Sequence, residues 1–167
     1  MQETILIPME RVAVLIGKKG DDRRALEKLG KVKFWIDSNS NEVTINSNDV
    51  DKIYFAKKVV ELVGRGFSPK SAAKIFDDKY SAELIDLSDF GAKERKQRER
   101  MVGRLIGTKG RTKAIMEKET NTEIVVYGKT ISILGKSDDV EQARQAIEAI
   151  LSGSKQGTAY RISKQDK

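Results

Sequence analysis

Residues 14–37, VLIGKKGDDRRALEKLGKVKFWID, recur 90 residues later as RLIGTKGRTKAIMEKETNTEIVVY (104–127), without a gap. Leu15-Ile16-Gly17 falls on Leu105-Ile106-Gly107 and Lys19-Gly20 on Lys109-Gly110. Glu27-Lys28 falls on Glu117-Lys118, and Ile36 on Val126. Further along, EVTI (42–45) parallels TISI (130–133) at a spacing of 88. NDVDKIYFAKKVVELVGRG (48–66) then pairs with DDVEQARQAIEAILSGS (138–154), read again at 90. A chain of 167 residues that carries one pattern twice is constrained to fold as two small versions of one unit. The period is too long, and the copies too few, for a solenoid.

Each copy reads in the same order. An apolar strand opens it (4–9 or 82–87), and a helix leads into a glycine turn. In the second copy this helix is long and basic, GAKERKQRERMVGRLI (91–106). A second helix follows (21–29 or 111–119), with Leu26 and Leu29, or Ile115 and Met116, on its apolar face. Two alternating stretches come next: KVKFWI and EVTIN around DSNSN, or TEIVVY and KTISIL around Gly128. Both pairs read as hairpins. A closing helix is expected from Asp49 or Asp139. Ile53, Ala56, Val59 and Val60, or Val140, Ala143, Ile147 and Ile150, recur along it at helical spacing.

The order strand, helix, helix, strand, strand, helix, found twice, makes the fold expected α+β with two tandem units. The expected divisions are a first domain at 1–66, a linker helix at 67–80, a second domain at 81–154, and a loose polar tail at 155–167. Pro69 after Ser68 suits the start of the linker helix.

The formal net charge is +7 and the pI near 9.5, which points to a polyanion or an anionic membrane as partner. No run approaches the roughly 20 apolar residues that cross a bilayer. Glu3, Pro8, Glu10 and Arg11 interrupt the opening apolar stretch, which therefore does not read as a signal peptide. A cytoplasmic location is the expectation. With no cysteine and no histidine, the chain has no disulfides, thiol nucleophiles, usual zinc sites or imidazole acid–base chemistry. Asp77-Asp78 and Asp138-Asp139 are paired carboxylates that could hold Mg²⁺ for RNA cleavage, but both read more simply as helix-end residues. No cofactor, no metal and no catalysis are expected.

The glycine turn carries the chemistry. Glycines at both ends allow backbone angles that other residues resist and bring the backbone near a ligand. The helix that starts there presents free N–H groups and a partial positive charge, to which phosphate is the natural partner. Lys18, Lys19, Lys109, Arg111 and Lys113 add formal charge. A P-loop has four residues between its glycines and then Lys-Ser/Thr; these turns have two, followed by Asp21-Asp22 or Arg111-Thr112. Asp21 and Asp22 suit a helix N-terminus but compete with phosphate for it, so the second copy is expected to hold an anion more firmly.

The frame Ile-Gly-x-x-Gly, helix, hairpin, helix, found twice, resembles the KH (K-homology) domain of type I. The resemblance is closest through LIGTKGRTKAIMEKETNTEIVV and covers nearly the whole chain. It implies that each unit is a three-stranded antiparallel sheet packed on three helices, and that each Gly-x-x-Gly clamps the backbone of about four single-stranded nucleotides, the bases lying in an adjoining apolar groove. The implied RNA-binding residues are Gly17, Lys18, Lys19, Gly20, Arg23, Arg24 and Ile36 in the first copy. In the second they are Arg100, Arg104, Leu105, Gly107, Thr108, Lys109, Gly110, Arg111, Lys113 and Val126. Val12, Leu15 and Val102 join Ile36, Leu105 and Val126 as groove candidates, and each could equally pack the core. Trp35 could stack on a base, or pack between the copies or under the linker helix.

A two-KH chain with this basic opening helix and RLIGTKGRTK loop is similar to the archaeal small-ribosomal-subunit pre-rRNA processing factors. That group is related to the eukaryotic "partner of Nob one" and Krr proteins. The likeness implies binding near the 3′ end of small-subunit rRNA. It also implies a processing endonuclease and the initiation factor two alpha subunit as protein partners. Another KH role, in translation, transcription or RNA decay, is the alternative.

Overall fold

The computed structural model describes residues 1–164. The chain divides into two compact units, Met1–Asp78 and Lys79–Lys167. The first unit runs β1 (Gln2–Leu6), α1 (Met9–Ile16), α2 (Asp21–Gly30), β2 (Lys33–Asp37), β3 (Glu42–Asn46), α3 (Val50–Gly64) and α4 (Pro69–Ala72), the last continued by a 3-10 turn at Ala73–Phe76. The second runs β4 (Tyr80–Asp86), α5 (Arg95–Ile106), α6 (Arg111–Thr120), β5 (Glu123–Tyr127), β6 (Thr130–Lys136), α7 (Ser137–Leu151) and α8 (Gln156–Ser163). Each unit holds a three-stranded antiparallel sheet, ordered β1-β3-β2 and β4-β6-β5. The hairpin supplies two neighbouring strands, and the opening strand joins its free side.

Strand alternation sets which face is covered. Phe34 pairs with Ile45 and Ile36 with Val43, so the apolar residues of β2 and β3 share one face. In the second unit Ile124 pairs with Ile133 and Val126 with Ile131, and this face meets Leu105, Met116, Ala143 and Ile147. Trp35 lies on the opposite face and is 69% exposed. The expectation that it packs under the linker helix does not hold.

Three boundaries move from those read in the sequence. Pro8 closes the opening strand early: β1 ends at Leu6 and α1 begins at Met9. The basic helix starts at Arg95 rather than at 91, where Glu94 and Gln97 form a reciprocal capping box. The closing helices match at a spacing of 87, not 90. Buried Ile53, Ala56, Val59 and Val60 of α3 fall on buried Val140, Ala143, Ala146 and Ile147 of α7. The cause is the turn before α3. Asp49 caps α3 by accepting from Asp51 N–H at 2.9 Å, after a turn through Ser47 and Asn48. In the second unit β6 runs straight into α7 at Ser137, and Asp138 and Asp139 sit inside its first turn, where they face the helix dipole.

The linker and the tail are one element in two copies. Pro69 of α4 and Gln156 of α8 are also 87 apart. Arg11 donates through Nε to Val63 O (2.7 Å) and through Nη2 to Phe67 O (2.8 Å). Arg104 donates through Nη1 to Ile150 O (3.2 Å) and through Nη2 to Ser154 O (2.7 Å), carbonyls again 87 residues on. In each unit one arginine of the opening helix thus holds two carbonyls at and just beyond the end of the closing helix. Ala72 and Ile75 are buried in the first unit, and Phe76 packs on Gly30, where a Cβ would come within 2.7 Å of the ring. The expected loose tail is helical over Gln156–Ser163, with Ala159 and Ser163 buried and Gln142 Nε2 donating to Ile162 O and Ser163 O. The last three residues of that expected tail, 165–167, lie outside the described residues.

Candidate nucleic-acid interface

Each glycine turn stops one helix and starts the next within four residues. Gly17 N–H donates to Ala13 O (3.0 Å) and Gly107 N–H to Gly103 O (2.9 Å), closing α1 and α5. Both glycines have left-handed φ, +74° and +77°. Lys19 and Gly20 are left-handed in succession, as are Lys109 and Gly110. Gly20 N–H bonds back to Gly17 O, and Gly110 N–H to Gly107 O, each at 3.2 Å. The N–H groups of Lys18 and Lys19, and of Thr108 and Lys109, have no acceptor within the turn. They stand beside the uncapped N-termini of α2 and α6. A Cβ on Gly17 would strike the Asp22 carboxylate. One on Gly107 would strike the Thr112 hydroxyl and come within 2.9 Å of its backbone nitrogen.

Those two contacts separate the turns electrically. Over Gly17 lies an aspartate, and over Gly107 a threonine whose hydroxyl bonds Tyr160 OH at 3.2 Å. Arg24 folds back over Gly20, donating to Lys19 O (2.7 Å) and to Asp21 Oδ1 (2.6 Å). Ala114 occupies the matching position in the second unit, and nothing lies within 4 Å of a Cβ on Gly110. Among the described residues, the side chains of Lys18, Lys19, Lys109 and Arg111 have no intramolecular hydrogen bond or ion pair. Both turns thus present two free cations to solvent, and the first differs in carrying the carboxylates of Asp21 and Asp22 beside them.

Several residues expected to meet RNA are committed elsewhere. Lys113 pairs with Glu117 at 2.9 Å, and Arg23 lies 3.6 Å from Glu27. The same glutamates accept strand N–H groups: Glu27 from Phe34 (2.9 Å) and Glu117 from Ile124 (3.0 Å). Each glutamate thus ties a helix to a strand, and its cation is part of that tie. The repeat showed Glu27 on Glu117, but their role was not visible in it. Arg104 is the carbonyl clamp described above. Leu105 is fully buried in the second core, Leu15 is fully buried in the first unit and Val12 is buried beside it on α1, so all three take the core-packing alternative in this structure.

The groove itself is formed in the second unit. Val102 and Gly103 of α5 face Val126 of β5 and Gly128 across an open cavity of about 730 Å³, with Arg95, Arg98 and Lys129 at its margins. Val102 and Val126, groove candidates by the KH resemblance, both line it, and no side chain fills the space above Gly103. Arg100 is exposed but does not line the cavity, and Ile36 is half-buried in the first unit. Arg95, Arg98, Gly103 and Lys129 were not singled out in the sequence, although the basic helix read at 91–106 contains three of them.

Residues 81–167 match the eukaryotic-type KH domain (KH-domain type I), and residues 2–62 match the KH domain. The chain belongs to the KH family. This tandem KH protein is 36% identical over 169 aligned positions to a KH domain-containing protein of Methanocaldococcus jannaschii, covering 99% of this chain and 74% of that one. It is 29% identical to the pre-rRNA-processing protein PNO1 of Debaryomyces hansenii, with 78% of this chain aligned; the match spans 52% of the length of that relative. Among solved structures it is similar to Dim2p from Pyrococcus horikoshii OT3, with a TM-score of 0.89, 39% identity and 99% of both chains covered. It is also similar, with a TM-score of 0.88 and 38% identity, to a chain of the a/eIF2alpha–aDim2p–rRNA complex of that organism, covering 99% of this chain and 93% of that one. The tandem KH protein is thus homologous to archaeal Dim2p and to eukaryotic PNO1. Among the described residues, no helix is long and apolar enough to cross a membrane.

Proposed function

We propose that the chain binds single-stranded RNA through its second KH unit, as a non-catalytic factor in maturation of the small-subunit rRNA near its 3′ end. The observation that carries this is the second glycine turn: exposed Thr108, Lys109 and Arg111 surround unpaired N–H donors, and the Val102–Val126 groove opens on the same unit. The turn holds phosphates without reading sequence, and the groove supplies the place where bases are chosen. The rRNA assignment is supported by the relatives, one named as a pre-rRNA-processing protein and one solved together with rRNA and a/eIF2alpha. By the same likeness, the initiation factor two alpha subunit and a processing endonuclease are the protein partners proposed.

Crosslinking in native cells, followed by sequencing of the bound RNA, tests this reading. Enrichment at the 3′ end of small-subunit rRNA is expected. A profile scattered over messenger RNAs would overturn the rRNA assignment in favour of another KH role.

A further inference from the structure

At the far end of α2 from its glycine turn, the first unit opens a cleft of about 680 Å³. Five cations line it: Arg24, Lys28, Lys31, Lys33 and Lys52. Arg24, Lys28 and Lys31 follow one another at four and three residues, so they form a stripe down one side of the helix. At about 1.5 Å rise per residue the stripe is about 10 Å long. Its upper end, Arg24, is the residue that rests on the first glycine turn. The two carboxylates of the cleft are already engaged. Glu27 accepts Phe34 N–H, and Asp49 accepts Asp51 N–H. Lys28, Lys31 and Lys33 are exposed, and among the described residues they have no partner.

The second unit offers the control. With the registers established above, the five positions are occupied there by Ala114, Lys118, Asn121, Glu123 and Asp139, one cation and two acids. The same place in the same fold has opposite charge in the two copies, so the fold itself does not require the cations.

We propose that this cleft is a second RNA contact, one that holds sugar-phosphate backbone alone and extends the footprint beyond the glycine turns. The chemistry fits a phosphate chain better than an acidic protein segment. Val32 is the only apolar residue of the lining and is 5% exposed, so the cleft has no pocket for the buried anchor that protein partners use. Backbone recognition needs only cations and amide donors, and Asn46 and Asn48 add the latter. The inference rests on the reading of the chain as an RNA binder.

The test uses the full chain and two RNAs from the 3′ end of small-subunit rRNA, one of about 6 and one of about 24 nucleotides, titrated across salt. Lys28→Gln/Lys31→Asn/Lys33→Gln removes the stripe; Asn at 31 keeps the left-handed φ of +54° that Asn121 adopts in the second unit. Lys118→Gln/Lys136→Gln/Lys155→Gln removes the same charge elsewhere. Loss of three phosphate contacts lowers the log–log salt slope by about 2. The cleft variant is expected to show that drop, and about tenfold weaker binding, on the long RNA alone. The control variant keeps the parent slope, and melting curves confirm that both fold.

If the two triple variants behave alike, or if the short RNA is weakened equally, the cleft proposal is overturned. A cleft variant silent towards RNA but weakened towards polyglutamate assigns the cleft to an acidic protein segment, and also overturns it. If the parent binds RNA and Thr108→Asp/Lys109→Asp does not, a silent cleft variant removes this inference alone. A parent that binds neither RNA removes the functional reading with it.

Discussion

Gly17, Lys19 and Gly20 lie within about five degrees in φ of Gly107, Lys109 and Gly110, and both turns carry the same back-bonded glycine. Yet the first turn has Asp21, Asp22 and a folded-back Arg24 around it, where the second has Arg111, Thr112 and Ala114. The glycines fix the shape of the turn, and the residues just after it set the charge beside it. An aspartate at a helix N-terminus stabilises the helix through the same partial charge that a phosphate would use. In the first unit these carboxylates stand beside the free Lys18 and Lys19, and three further free cations, Lys28, Lys31 and Lys33, lie at the other end of α2.

The comparison assumes equal scaffolds under unequal loops. Leu15 and Leu105 are matched positions and fully buried. Truncating either to Ala should cost about 2–5 kcal/mol in urea unfolding, with similar values for both. A cost confined to one unit would show that the copies do not share one core. Arg11 and Arg104 test the scaffold more gently. Each holds two carbonyls, and replacement by Ala should cost about 1–3 kcal/mol of stability. The RNA salt slope of Arg104→Ala should stay at the parent value; a slope lowered by a full phosphate contact would return Arg104 to the interface.

The loops can then be exchanged. Asp21→Arg/Asp22→Thr/Arg24→Ala gives the first turn the residues of the second. Fluorescence anisotropy with single-stranded RNA should show about tenfold tighter binding, a gain of about 1.4 kcal/mol. Unchanged affinity would mean that these side chains do not gate the first turn. The smallest expected difference lies in the hairpins. Asn39 and Ser40 N–H groups donate to Asp37 and hold its carboxyl below the ordinary aspartate range, while Gly128 makes the turn in the second unit. That support is present above the ordinary value and fades as pH falls through the lowered one. NMR titration should therefore show amide shifts at Asn39 and Ser40 in strong acid, with no counterpart at Gly128.

The repeat made most of this legible. Strand and helix order and the two turns follow from local patterns, since period and glycine spacing are properties of neighbouring residues; that Val102 and Val126 share a groove was implied only by the KH resemblance. What was hidden depended on distant partners. Arg104 reads as one more basic residue before the loop, but its acceptors lie 46 and 50 residues away. Lys113 and Arg23 read as phosphate ligands because nothing in the sequence says that Glu117 and Glu27 also bind a strand. The register of the closing helix is ambiguous in the sequence because Asp-Val occurs near both starts, and the burial of Val140 and Ala143 fixes the spacing. The tail looked loose because it is polar; two buried small residues, Ala159 and Ser163, dock it.

The central claim is that the two turns share a shape and differ in RNA affinity. The direct measurement pairs two double variants, Lys18→Asp/Lys19→Asp and Thr108→Asp/Lys109→Asp, in anisotropy titrations with one single-stranded RNA. Aspartate tolerates the left-handed φ at 19 and 109, so both variants keep the turn. Substitution in the second turn should weaken binding by about 100-fold or more, and in the first by less than about threefold. Equal losses from the two turns, or a greater loss from the first, would contradict the account.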